Sequence, residues 1–284
     1  MDAFPDQFKR FFVKRQGALE AFEIMTEPVV IRNLVIGEGR PKICIPLTGK
    51  DREELAAQVR RAAAAEPDLL EWRADYFEEE LSSESIREVI SMIDRHSGRL
   101  PVIFTVRTLE EGGRRGFPFE KYAELLLAAA ENGAALIDVE ALREPDRKRE
   151  LIRQIRLSGA AVISSVHDFE KTDPPEILMK TLERLEESEG DILKMAVMPE
   201  NERDTGNLMK TVKAFTSEKS RRPVIAMAMG PVGMITRISG ALYGSCVTFG
   251  TAGEASAPGQ IPAQRLRLLL EEVEKNRAGA AENG

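Results

Sequence analysis

The sequence predicts an α/β fold and, within that class, a closed (β/α)8 TIM barrel. Eight short apolar segments rich in β-branched residues recur at intervals of roughly 25–35 residues. Each is followed by a stretch with apolar residues at helical spacing, such as "EKYAELLLAAAENG" and "PPEILMKTLERLEESEG", which end in glycine. Charged residues also interrupt the apolar segments towards their carboxyl ends, where a barrel carries its active groups.

The elements follow in order. Residues 1–27 hold Phe8, Phe11, Phe12 and Phe22, which suit a short amphipathic extension of unknown role. "VVIRNLVIG", from Val29, reads as a strand or hairpin closing the barrel bottom. The eight barrel strands are expected in "KICIPLTG" from Lys42, "DLLEWRADYF" from Asp68, "LPVIFTVRT" from Leu100 and "ALIDVEAL" from Ala135. They continue in "AVISSVHDF" from Ala161, "DILKMAVMP" from Asp191, "PVIAMAMG" from Pro223 and "CVTFGTAG" from Cys246. This gives a catalytic domain over 28–276 and a tail, 277–284, expected to fray. An open doubly wound sheet is the alternative, but no GxGxxG follows the first strand.

Composition narrows the function. Hydrophobic residues are 43% and charged residues 31%, a globular balance. No apolar run approaches the roughly 20 residues of a membrane span. The start mixes charge into its apolar residues, unlike a signal peptide, so a cytoplasmic protein without a membrane partner is expected. Two cysteines, Cys44 and Cys246, exclude a disulfide framework and read as buried thiols. Two histidines, His96 and His167, are too few for a His-rich zinc site, and no metal is expected. A net charge of −7 argues against nucleic acid as a partner; a small anionic substrate would need its own cluster of cations.

Candidate site residues come from charges placed where strands should be apolar. Alternate strand residues share a face, so Glu71, Arg73 and Asp75 are expected to point together, as are Asp138 and Glu140. In a closed barrel, which has no edge, such a set marks a polar site or a structural ion-pair network at the mouth. Arg107 ends strand three, Glu111 follows in a glycine-rich loop, and His167 ends strand five. Lys194 sits within "DILKMAVMPE", where an unpaired buried ammonium is costly. Desolvated, or beside cations such as Arg73 or Arg107, its amine could attack a carbonyl and form an imine, with a nearby imidazole removing the proton that the imine acidifies. Otherwise it snorkels to solvent or pairs with a carboxylate such as Glu71. Arg237 follows strand seven, with a planar fork suited to a carboxylate or phosphate. Ser256 and Gln260 lie on the loop after strand eight, which could act as a lid.

Together "EWRADYF", "FTVRTLEEGG", "SSVHDF", "LKMAVMP", "ITRISG", "YGSCVTFG" and "ASAPGQ" resemble, in order, the type I 3-dehydroquinate dehydratases, from about Val29 to Lys275. The resemblance implies a cytoplasmic (β/α)8 enzyme of the shikimate pathway, usually a homodimer, with no cofactor. Its substrate would be 3-dehydroquinate, converted to 3-dehydroshikimate by syn elimination of water. Matching positions imply that Lys194 forms the imine, His167 is the general acid and base, and Glu111 modulates His167. They also imply that Arg237 binds the substrate carboxylate, that Glu71, Arg73 and Arg107 contact hydroxyls, and that Ser256 and Gln260 bind from the loop. Pro46 departs from the serine that many relatives carry, and Thr236 from another frequent serine. Two other readings are a class I aldolase or transaldolase-like barrel acting on a sugar phosphate, with "FGTAG" as a phosphate loop, and a silent barrel used as a binding module.

Overall fold

The structure, a computed structural model, describes residues 26–253 and 260–282. Its first element is an antiparallel hairpin of β1 (Val29–Ile31) and β2 (Leu34–Ile36), turned through Arg32 in the left-handed region. Eight parallel strands follow: β3 (Lys42–Leu47), β4 (Leu69–Arg73), β5 (Val102–Thr105), β6 (Leu136–Glu140), β7 (Ala161–Asp168), β8 (Ile192–Val197), β9 (Val224–Ala228) and β10 (Val247–Thr251). A short β11 (Ile261–Pro262) pairs with β10, and the sheet runs β11-β10-β3-β4-β5-β6-β7-β8-β9. The row curls until β9 meets the start of β10. Val224 bridges Ser245, and the Cys246 N–H donates to the Val224 carbonyl at 2.8 Å. An open doubly wound sheet would leave these edges apart, so the curl selects the barrel reading.

Helices alternate with the strands: α1 (Arg52–Ala64), α2 (Ser83–Ser97), α3 (Phe119–Glu131), α4 (Pro145–Leu157), α5 (Pro175–Glu186), α6 (Glu202–Glu218), α7 (Ile235–Ile238), α8 (Gly240–Tyr243) and α9 (Ala263–Glu282). Their starts are written locally. Asp51 accepts the Glu54 N–H, Ser82 and Ser85 form a capping box, and Asn201 accepts two N–H groups of α6. The apolar stripes of α1 to α4 pack on the outer faces of β3 to β7, and those of α5 and α6 on β8 and β9. α9 continues past Asn276 to Glu282, into the segment expected to fray; residues 1–25 of the expected N-terminal extension lie outside the described residues.

The inward positions decide where chemistry can happen. Cys44, Leu69, Ile103, Leu136, Ile163, Ile192, Ile225 and Val247 form an apolar floor, and Ile31 and Ile36 of the hairpin pack into the same cluster. The hairpin thus closes the barrel bottom. Each such side chain contributes about 1.5–3 kcal/mol by leaving water. Two residues further along the strands the inner face becomes Glu71, Thr105, Asp138, Ser165 and Lys194, all buried, and the next step brings Arg107, Glu140 and His167. An abrupt change from apolar floor to charged interior therefore occurs within one alternation of the strands.

One strand departs from expectation. β4 ends at Arg73, and Ala74–Tyr76 form a 3-10 turn, so Asp75 does not extend the alternation of Glu71 and Arg73. The structural ion-pair reading holds for it. Asp75 takes a two-pronged bond from Arg73, both contacts at 2.8 Å, and accepts the N–H groups of Arg107 and Arg114. Among the described residues, no helix is long and apolar enough to cross a membrane.

Candidate active site

A cavity open to solvent lies above the apolar floor at the carboxyl ends of the strands. Glu71, Arg73, Arg107, His167, Lys194, Arg237 and Gln260 line it, with Pro46, Phe169, Met227, Met229 and Phe249 as apolar wall. Seven of the candidate residues named from the sequence thus face one space, while Asp75, Asp138 and Glu140 stand behind this lining in contact with Arg73, Lys194 and Arg107. Glu111 lies just behind His167, and Ser256 falls outside the described residues.

Lys194 is 4% exposed, which rules out the snorkelling reading. Its Nζ lies 2.9 Å from Asp138 Oδ2 and 3.3 Å from Glu71 Oε1, over the Phe249 ring. The amine's immediate neighbours are carboxylates, whereas the cations Arg73 and Arg107 have their own acids. Arg107 NH2 donates to Asp138 Oδ1 at 2.9 Å, and its NH1 donates to Glu140 Oε1 at 3.0 Å. Burial opposes the Arg107 charge, but Asp138, Glu140 and Glu111 outweigh it and hold the guanidinium firmly protonated. Burial likewise works against the Asp138 carboxylate, yet Arg107 and Lys194 hold its pKa well below the usual carboxylate range. Ser165 Oγ donates to the same Asp138 oxygen as Arg107, at 2.6 Å. Asp138 is therefore the centre of the network, fixed ionised between two cations.

His167 stands two residues beyond Ser165 on β7, and Ser165 is paired in register with Lys194. Its backbone N–H and its Nδ1 both contact Glu111 Oε2, at 3.1 and 2.9 Å. A 3-10 turn, Leu109–Glu111, carries Glu111 to this position, and Gly112 continues it in the left-handed region. Burial, then the Arg107 and Lys194 charges, push the imidazole well below its ordinary value. Burial and the neighbouring Glu140 push Glu111 up to about 8. Both shifts oppose charge on the pair, so Glu111 keeps its carboxyl proton to higher pH than a free glutamate. While Glu111 holds it, Nδ1 accepts and the ring N–H occupies Nε2. Once Glu111 ionises, Nδ1–H donates to it and Nε2 presents a lone pair.

Arg237 on α7 is buried, with NH1 4.0 Å from the Met227 sulfur, and burial lowers its pKa from the usual arginine value. A planar cation partly stripped of water at the cavity wall suits a carboxylate. A buried amine, an imidazole with an adjustable tautomer and a fixed cation in one pocket can form an imine, move a proton beside it and hold an anion.

The sequence model for type I 3-dehydroquinase matches residues 43–277. The chain belongs to the type I 3-dehydroquinase family. It is 34% identical over 252 residues to a 3-dehydroquinate dehydratase of Enterococcus faecalis, covering 88% of this chain and 100% of the relative. It is 37% identical over 243 residues to that of Syntrophotalea carbinolica, covering 85% and 96%. Its fold superposes with TM-score 0.85, at 34% identity, on a crystal structure of type I 3-dehydroquinate dehydratase from Clostridium difficile with covalent modified comenic acid. That match covers 89% of this chain and 100% of the other.

Within this 3-dehydroquinase barrel, some residues at the site were not singled out as site residues from the sequence. Asp138 and Glu140 were seen to share a face, but nothing local says that Asp138 touches Lys194. Ser165 was missed, although "SSVHD" places it on the face of His167 by simple alternation. Thr105, which donates to Glu71 Oε1 at 2.9 Å, was missed because threonine is common in any strand. The two cysteines are free, Cys44 buried in the floor and Cys246 half-buried.

Proposed function

We propose that the chain is a 3-dehydroquinate dehydratase that eliminates water from its substrate through an imine on Lys194. The observation that carries this reading is the buried Lys194 amine at the base of a charged cavity, two strand positions from His167, in a chain of this family. In this scheme the substrate carboxylate docks on Arg237 and the C3 ketone meets Lys194 Nζ. The amine adds to the ketone and water departs to leave an iminium. Its positive charge draws electrons from the C2–H bond, and His167 Nε2 takes that proton to give an enamine. The enamine expels the C1 hydroxyl, which leaves as water with the proton returned by His167. Hydrolysis then frees product and amine. Asp138 and Glu71 hold the amine in place, and Glu111 sets which imidazole nitrogen is a base. Arg73 and Arg107 shape the cavity beside the ring hydroxyls, while Ser256 and Gln260 bind from the loop. No metal or organic cofactor has a part in this scheme. The reading carries with it a cytoplasmic homodimer, checked by sedimentation of the purified protein and by cell fractionation.

The test is direct. Adding 3-dehydroquinate should raise near-ultraviolet absorbance as a conjugated enone forms. Borohydride added with substrate should fix covalent mass on Lys194. Absence of both signals in folded protein would sink the reading. Trapping by a sugar phosphate but not by 3-dehydroquinate would favour an aldolase instead.

A further inference from the structure

The barrel wall is not closed by backbone pairing along its whole length. Among the described residues β9 and β10 are bridged only at Val224 and Ser245, and the buried Ala226 and Ala228 lie beyond that bridge on the same edge of β9. Side chains from the segment joining the two strands stand in for a neighbouring strand there. Ser245 Oγ accepts the Ala226 N–H at 3.0 Å, the Tyr243 hydroxyl donates to the Ala226 carbonyl at 2.6 Å, and Thr236 Oγ1 accepts the Ala228 N–H at 3.2 Å. Without them these buried backbone groups would be left unsatisfied, at a cost in free energy.

Thr236 joins this edge to the site. It precedes Arg237 on α7, a helix of four residues, too short to hold itself in place. Its hydroxyl donates to the Gly233 carbonyl at 2.7 Å while accepting from Ala228, so one oxygen links β9, the reversing loop and α7. The loop comes back so close to the strand that a Cβ at Gly233 would lie 2.2 Å from the Ala228 carbonyl oxygen. The Thr236 carbonyl is met by the Tyr243 hydroxyl at 3.0 Å. Thr236 is thereby held at both its side chain and its main chain. From this anchored position Arg237 reaches the cavity past Met227, which β9 carries between Ala226 and Ala228.

We propose that Thr236 is a positioning residue for Arg237: its hydroxyl pins α7 to the end of β9 and so fixes the guanidinium at the cavity wall where the substrate carboxylate docks. Thr236 is not part of the cavity lining and makes no bond to substrate. Both of its side-chain bonds use only the hydroxyl, so the serine that many relatives carry here would make them equally. Valine, of the same shape without the hydroxyl, would make neither. A carboxylate seat serves ground state and transition state alike, so displacing it should raise KM and spare kcat. That consequence rests on the dehydratase reading, whereas the pin itself is measurable without substrate.

In Thr236→Val, KM for 3-dehydroquinate should rise roughly three- to tenfold while kcat stays within about twofold. Thr236→Ser should keep the wild-type KM. Arg237→Ala should raise KM by itself, and adding Thr236→Val to it should change KM no further, because the pin acts through that side chain. An unchanged KM in folded Thr236→Val overturns the proposal, and so does a full further rise in the double variant, which would trace the effect to another part of the site. If Thr236→Val loses cooperative unfolding, Thr236→Ser decides: a held KM supports the pin and a raised one refutes it. Without substrate, hydrogen exchange of the peptide spanning α7 should quicken by roughly three- to tenfold in Thr236→Val and keep its wild-type rate in Thr236→Ser. Unchanged exchange there refutes the pin. Quickened exchange at α7 with no turnover in any of the proteins, wild type included, refutes the dehydratase reading and leaves the pin standing.

Discussion

Lys194 and Asp138 are 56 positions apart in sequence and 2.9 Å apart in space. Their contact sets the first expectations at residue scale. Lys194→Ala should abolish borohydride trapping, read as intact mass, while the chain stays folded. Asp138→Asn removes the acid shared by Lys194 and Arg107; breaking such a buried pair costs on the order of 3–5 kcal/mol. Its unfolding midpoint in denaturant should fall accordingly, and imine formation should slow. The Glu111–His167 pair makes a pH prediction. With Glu111 pushed up to about 8, the lone pair at Nε2 appears as pH rises through that value, so kcat/KM should climb towards a plateau above it. Glu111→Gln removes the titrating carboxyl and should erase that limb, leaving only the lower one set by the depressed imidazole. A limb retained near 8 in this variant would assign it to another group.

The turn from Thr108 to Gly113 shows what an element contributes. It must leave β5, deliver Glu111 to His167 and return within a few residues. A Cβ at Gly113 would lie 1.8 Å from the Arg107 carbonyl oxygen, and one at Gly112 2.4 Å from the Phe169 ring. Gly113→Ala must therefore shift the turn, at a strain cost of roughly 1–3 kcal/mol. Turnover should fall more than thermal stability does, since Glu111 moves while the floor is untouched. The reverse pattern would deny the turn a part in catalysis. From sequence, "EEGG" showed a loop with freedom at glycine. It did not show that the loop is closed by Gly113 N–H donating to the Thr108 carbonyl at 2.7 Å. β4 shows the same limit: Asp75 keeps the spacing of an alternating strand, but the chain has already turned.

Over the whole molecule, the apolar floor separates stability from chemistry. Ile36, fully buried, belongs to the hairpin that seals the barrel bottom, far along the strands from Lys194. Ile36→Ala should cost about 2–5 kcal/mol, measured by denaturant unfolding, with kcat per folded molecule unchanged. A loss of kcat without a loss of stability would show that the hairpin reaches the site. The eight strands were legible because alternation and β-branched composition are local signals that need no partner. Most of the site was legible for the same reason, since Glu71, Arg73, Arg107, His167 and Lys194 are anomalies in otherwise apolar runs. The Thr236 bond to Ala228 was not legible, because a threonine in a helical turn looks like any solvated polar residue.

The sequence alone determined the order of strands and helices and, apart from Asp75, which charged residues would share an inner face. Those depend on spacing along one strand or one helix. Only the tertiary structure decided that Lys194 answers to Asp138 and Glu71, that Asp75 serves Arg73, and that Glu111 meets His167. These pairings join strands and turns far apart in the chain. Their strength depends on a burial that exists only once the sheet has curled and β9 has met β10.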